Sequence, residues 1–171
     1  MAISAVVYCS NTGHTKRYAQ MFAEKTGLPL YDGAQAQKVL PRDARIVFFG
    51  WLLSGKIQGF EKAWKKFDVA AACSVGLYPD SERFREYVER NNILIDTQYF
   101  HLRGGIAPDK LRGMPRVTMG VIMRSIRARK KQGKDVTQEE LAMLEAYDTA
   151  ADFVEENALL PVYEWYESQG E

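Results

Sequence analysis

Apolar and polar positions along the chain change period in a regular way. Residues 3–9, "ISAVVYC", form a short, nearly unbroken apolar run of the kind a fully buried strand shows. The next stretch, "NTGHTKRYAQMFAEKTG", switches to helical spacing, with Tyr18, Met21, Phe22 and Lys25 along one side and Gly27 suited to the stop. A second short strand is expected at 28–32. A third is expected at 44–50, "ARIVFFG", where β-branched and aromatic residues without polar alternation indicate burial on both faces. After "WLLSGKIQG" comes a helix over 60–67, with Phe60, Ala63, Trp64 and Phe67 on one side. "VAAACSVGLY", 69–78, reads as a fourth strand, 80–92 as a helix with Asp80 or Ser81 as N-cap, and "TQYFHLRGG", 97–105, as a fifth strand. Strands alternating with helices predict a parallel sheet with right-handed crossovers and helices on both faces.

Beyond residue 105 the strand signal ends. Pro115 fits the first turn of a helix running to about Lys131, and a last helix is expected over 137–157, opened by a capping box of Thr137 and Glu140. The tail "LLPVYEWYESQGE" is aromatic and acidic. No internal repeat, linker or low-complexity stretch divides the 171 residues, so one domain over 1–171 is expected. With 46% apolar and 26% charged residues, the composition excludes a disordered or collagenous chain. The two cysteines, Cys9 and Cys73, sit in separate strand-like runs, which suggests reduced thiols in a reducing compartment. No apolar run approaches the roughly 20 residues that span a bilayer, and no basic head with an apolar core opens the chain. The expected location is cytoplasmic, with peripheral contact to the inner face of the membrane left open.

The stretch "SNTGHT" stands where the first strand should end and a helix begin. In a doubly wound sheet, ligands bind beyond the carboxyl ends of the strands, where strand order reverses. A turn leading into a helix offers unpaired N–H groups and the positive end of the helix dipole, which suits a phosphate. Ser10, Asn11, Thr12 and Thr15 add side-chain donors, and Gly13 permits close backbone approach. The alternative is that these hydroxyls simply cap the helix. Neither a Walker A loop nor a dinucleotide fingerprint is present. A response-regulator phosphoacceptor would need carboxylates at the strand ends, where Cys9 and Gly50 stand instead. A small cysteine phosphatase would use Cys9 as nucleophile but needs an arginine six positions on, where the chain has Thr15.

"SNTGHT" resembles the phosphate loop of flavodoxins, Ser/Thr-x-Thr-Gly-x-Thr. "FFGWLLSGKIQGFEKAW" and "RGGIAPDKLRGMPRVTMGVIMRSI" are similar to stretches of the menaquinone-dependent protoporphyrinogen dehydrogenases and related flavodoxin-domain proteins. The resemblance implies a flavodoxin-like three-layer α/β sandwich with a five-stranded parallel sheet, order 2-1-3-4-5, and an extra helical segment after the fifth strand. It implies noncovalent FMN, its phosphate held by Ser10, Asn11, Thr12, Gly13, His14 and Thr15. Trp51, Leu52, Leu53, Ser54 and Gly55 would cover one side of the isoalloxazine, and Gly76, Leu77 and Tyr78 the other. Asn is usual where this chain has His14. The implied function is electron transfer or an FMN-dependent dehydrogenation, with a redox protein or a quinone as partner. A cysteine phosphatase, or a flavin-free interaction module on the same fold, is the alternative. No catalytic acid or base and no metal ligand is assigned, because the flavin carries the chemistry.

The formal net charge of +1 conceals two opposed blocks. Residues 110–134 carry nine Lys and Arg without Asp or Glu, and 135–171 carry no Lys or Arg. At 3.6 residues per turn, Leu111, Met114, Thr118, Val121, Ile122 and Ile126 would share a face, with Arg112, Arg116, Arg124, Arg127, Lys130 and Lys131 clustered opposite, Met114 to Lys131 forming the basic helix. Such a helix suits an anionic membrane or an acidic partner, or else the acidic last helix of its own or a second chain, in a homodimer. The block lacks interleaved aromatics, which speaks against nucleic acid.

Overall fold

A computed structural model describes residues 2–170. The elements in chain order are β1 Ala5–Cys9, α1 His14–Thr26, β2 Leu30–Asp32, α2 Gly33–Val39, β3 Arg45–Leu53, β4 Lys56–Ile57, α3 Phe60–Trp64, β5 Asp68–Gly76, α4 Glu82–Asn91, β6 Gln98–Arg103, α5 Gly113–Lys131, α6 Gln138–Asp148 and α7 Leu160–Ser168, with a 3₁₀ turn at Glu156–Leu159 before α7. The main sheet runs β2-β1-β3-β5-β6, all parallel. This is the expected α/β three-layer architecture and the expected order 2-1-3-4-5, with one correction. A sixth strand, β4, pairs antiparallel with the end of β3, Leu52 opposite Ile57 and Leu53 opposite Lys56.

Alternation along the buried strands fills both faces. Val6, Val47, Phe49, Ala71, Cys73 and Val75 point to one side, against Tyr18, Phe22 and Ala23 of α1 and Leu159, Val162 and Tyr163 near the C-terminus. Ala5, Val7, Ile46, Phe48, Val69 and Ala72 point to the other, against Ala36, Phe60, Ala63 and Val88. A third cluster, Ile106, Leu111, Met119, Met123, Ile126 and Leu144, joins α5 to α6 beside the sheet.

Three other expectations are corrected. The last helix does not run over 137–157: α6 stops at Asp148, and Ala150 takes a positive φ of 50°. The following segment pairs with the end of β6, since Ile106 N–H donates to Ala151 O (3.0 Å) and Phe153 N–H to Gly104 O (2.9 Å). Backbone pairing there prevails over helical spacing. The aromatic tail then forms α7, packed on α1. On α5, the residues expected to share one apolar face are split: Ile126 is buried with Met119 and Met123, while Met114 and Val121 lie 73% and 55% exposed. The helix carries two apolar stripes, and the stripe bearing two methionines meets Leu144 of α6. Finally, the helix expected over 60–67 closes at Trp64, and α2, with its capping box of Asp32 and Gln35, was not expected.

Candidate ligand site at the carboxyl edge of the sheet

The site is built where β1, β3 and β5 end. Between β1 and α1 the chain turns at Gly13, whose φ of 104° favours glycine and where a Cβ would meet nothing within 4 Å. Among the described residues no side chain caps α1, so the N–H groups of its first turn lack a side-chain acceptor. The hydroxyls are therefore not spent as helix caps. Ser10 Oγ accepts from Gly13 N–H (3.2 Å) and keeps its own proton free to donate, while Thr12 Oγ1 and His14 Nδ1 lie 2.9 Å apart. Thr15 is buried. Asn11 Oδ1 is buried and has no hydrogen-bond partner among the described residues. The His14 imidazole is held below its ordinary pKa, mainly by burial, with Arg17 and Lys110 adding to the effect and Asp152 opposing it. Its ring packs on Gly105, where a Cβ would come within 2.6 Å of Nε2.

A cavity of about 750 Å³ opens from this corner. It is lined by Asn11, Thr12, His14 and Thr15, by Trp51, Leu52, Leu53, Ser54 and Gly55, and by Gly76, Leu77 and Tyr78. Ser10 and Gly13 face a neighbouring groove with Cys9, Asp32 and Lys62, and Asn11 and Trp51 border both depressions. The third strand, expected to end at Gly50, runs on into a hairpin. Trp51, Leu52 and Leu53 still belong to the strand, and Ser54 and Gly55, both at positive φ, make its two-residue turn. Gly50 lets the hairpin fold back, since a Cβ there would lie 2.4 Å from the Ile57 side chain.

Sequence reasoning missed residues that hold these walls. Asn92, at the end of α4, donates to Gly55 O (2.8 Å) and accepts from Ile57 N–H (3.0 Å), clamping the hairpin. Phe84 and Tyr87 of α4 line the cavity, and Phe84 packs 5.2 Å from Tyr78. Tyr78 donates to Met143 Sδ (3.7 Å), so its ring is tied to α6 as well. Ile106, Leu111, Met119 and Ile122 bring the helical layer into the cavity wall. The spacing 84, 87, 88 on α4 was a readable apolar stripe; nothing in the sequence aimed it at the hairpin.

Burial raises the pKa of the Cys9 thiol, the opposite of what a phosphatase nucleophile needs. Burial does the same to Cys73, which sits in the sheet interior.

No protein-family model matches this chain, and no curated protein matches it in sequence. What the fold and the site define is a class: an α/β protein on a mostly parallel sheet, with an apolar cavity beyond its central strands that the start of α1 helps to line.

Proposed function

We propose that the chain binds one FMN noncovalently and moves electrons through it, as an electron carrier or an FMN-dependent dehydrogenase of the flavodoxin-like, protoporphyrinogen-dehydrogenase-like branch. The observation that carries this reading is the helix start of α1, left without a side-chain cap although hydroxyls surround it. Such a terminus stabilises an anion through its free N–H groups and dipole. Residues 10–15 contain no Lys or Arg, so a phosphate there would be held by amides of the first turn and by the Ser10, Thr12 and Thr15 hydroxyls. Asn11 Oδ1, buried and unpaired, suits a hydroxyl donor of a sugar-alcohol chain. Trp51 and the hairpin on one side, and Leu77 and Tyr78 on the other, provide apolar walls that would exclude water from a planar ring. Bound FMN would supply the one- or two-electron chemistry. The experiment that tests the reading is equilibrium titration of the purified protein with FMN, read by flavin fluorescence.

The partner proposed for the electrons is a redox protein or a quinone, and α5 supplies a docking face. Among the described residues no helix is long and apolar enough to cross a membrane. Part of the basic block is neutralised inside the molecule: Arg127 pairs with Asp148, and Arg129 with Glu140 of α6. Arg112, Arg116, Arg124, Lys130 and Lys131 have no ion-pair partner among the described residues. Of these, Arg124 and Lys131 border an outer stripe of Met114, Val117 and Val121 at spacing i, i+3, i+7, each more than half exposed. A second copy would set arginines against arginines there; an anionic lipid surface does not. Val121→Glu is expected to lower binding to vesicles containing phosphatidylglycerol about tenfold, because burying a valine contributes roughly 1.5 kcal/mol or more. Cosedimentation checks this, and equal binding to neutral vesicles would contradict it.

A further inference from the structure

The carbonyls of Gly76, Leu77 and Tyr78 are all tied to one neighbour. Gly104 N–H donates to Gly76 O (2.7 Å), Arg103 Nε to Leu77 O (3.2 Å), and His101 Nε2 to Tyr78 O (2.8 Å). In a trans peptide the N–H points opposite to the C=O of the preceding residue, and no peptide bond here is cis. Tying the Gly76 and Leu77 carbonyls toward β6 therefore turns the Leu77 and Tyr78 N–H groups away from β6. Both residues line the cavity, and neither N–H has a hydrogen-bond partner among the described residues. The third peptide precedes Pro79 and has no N–H, so the loop offers two donors.

His101 is locked in turn. Its Nε2 must carry the proton, because the Tyr78 carbonyl only accepts. Its Nδ1 then accepts from Ser74 Oγ (2.8 Å), whose oxygen accepts from the Tyr99 hydroxyl (2.8 Å). That single arrangement satisfies all three buried groups, and burial, which lowers the His101 pKa, favours the neutral ring it requires. The Arg103 guanidinium is held over the Phe153 ring, 3.6 Å from its centroid.

We infer that His101 and Arg103 are positioning residues that hold the Leu77 and Tyr78 N–H groups out as a preset donor pair for the electron-rich, carbonyl-bearing edge of a planar ring. That the ring is a flavin rests on the reading above; that the pair is preset does not.

The test uses His101→Leu, which removes the donor, and His101→Gln, which replaces it with a carboxamide N–H. FMN and riboflavin share the ring, so His101→Leu is expected to weaken both by the same factor, about tenfold, for loss of the order set by the donor pair. His101→Gln is expected to recover most of that. In flavin-free protein, backbone NMR relaxation of Leu77 and Tyr78 is expected to report greater mobility in His101→Leu than in wild type or His101→Gln. Should His101→Leu not fold, Arg103→Leu, which of the three carbonyl ties cuts only that of Leu77 and also removes the stacking on Phe153, is read in the same two ways. Unchanged loop relaxation overturns the inference, as does unchanged affinity for both ligands in a folded variant. A wild type that binds neither flavin but shows the variant's loop loosened overturns the flavin reading and leaves the preset pair standing.

Discussion

Thr12→Glu is expected to weaken FMN about a hundredfold and riboflavin less than threefold, because unit charges 4 Å apart in a half-exposed site interact by about 4 kcal/mol and a hundredfold needs only about 2.7. The new carboxylate would stand beside a dianion in a corner whose residues 10–15 include no Lys or Arg to offset it. Burial holds the pKa of the nearby His14 imidazole below its ordinary value, which favours the neutral ring. Riboflavin lacks the phosphate and serves as the internal control for fold and ring contacts. Parallel fluorescence titrations measure both constants; equal losses for the two ligands would place the phosphate elsewhere.

Phe22→Ala is expected to cost about 3 to 5 kcal/mol of stability, the usual range for emptying a buried aromatic site. Phe22 is fully buried and stacks on Tyr163 of α7, with centroids 5.4 Å apart and rings within 5° of parallel; Phe49 and Tyr166 lie 5.6 Å away. These rings join α1, the sheet and α7, so the change should lower Tm by on the order of 10 °C. Flavin affinity of the folded fraction should persist, since Phe22 lies in the α1 and α7 core while the cavity opens at the strand ends. Calorimetry and urea melts read the effect, and a loss below about 1 kcal/mol would mean that α7 does not pack as described.

The legible parts of the fold were those where local pattern and tertiary packing agree. The runs at 3–9, 44–50, 69–78 and 97–105 are largely buried, so their apolar content has one meaning: β1 and β6 lie inside theirs, β5 starts one residue early at Asp68, and β3 runs three residues past Gly50 to Leu53. The candidate phosphate corner stood out at the end of the first strand, the two wall segments came only from the resemblance, and the structure brings most of these residues around one cavity. What stayed hidden depended on choices made at a distance. Residues 149–157 have helical spacing, yet Gly104 and Gly105 leave room for Ala151 and Asp152 to pair with them. A Cβ at Gly105 would come within 2.4 Å of Ala151 O. On α5 both stripes are apolar, and which of them turns inward is decided by Ile106, Leu111 and Leu144, which lie outside the helix. α2 buries a single residue, Ala36, so it leaves almost no periodic trace; its Asp32 and Gln35 capping box was the one readable sign. Asn92 clamps a hairpin 35 residues away, which no local pattern could announce.

The most direct test of the central claim, that backbone amides and hydroxyls at the start of α1 hold the phosphate of FMN, is the equilibrium titration of purified protein with FMN beside riboflavin. The account predicts one FMN per chain, quenched flavin fluorescence, and riboflavin bound at least about tenfold more weakly, since charge-assisted hydrogen bonds contribute roughly 1.5 to 3 kcal/mol each. Free FMN at every protein concentration, or FMN and riboflavin bound equally, would contradict it.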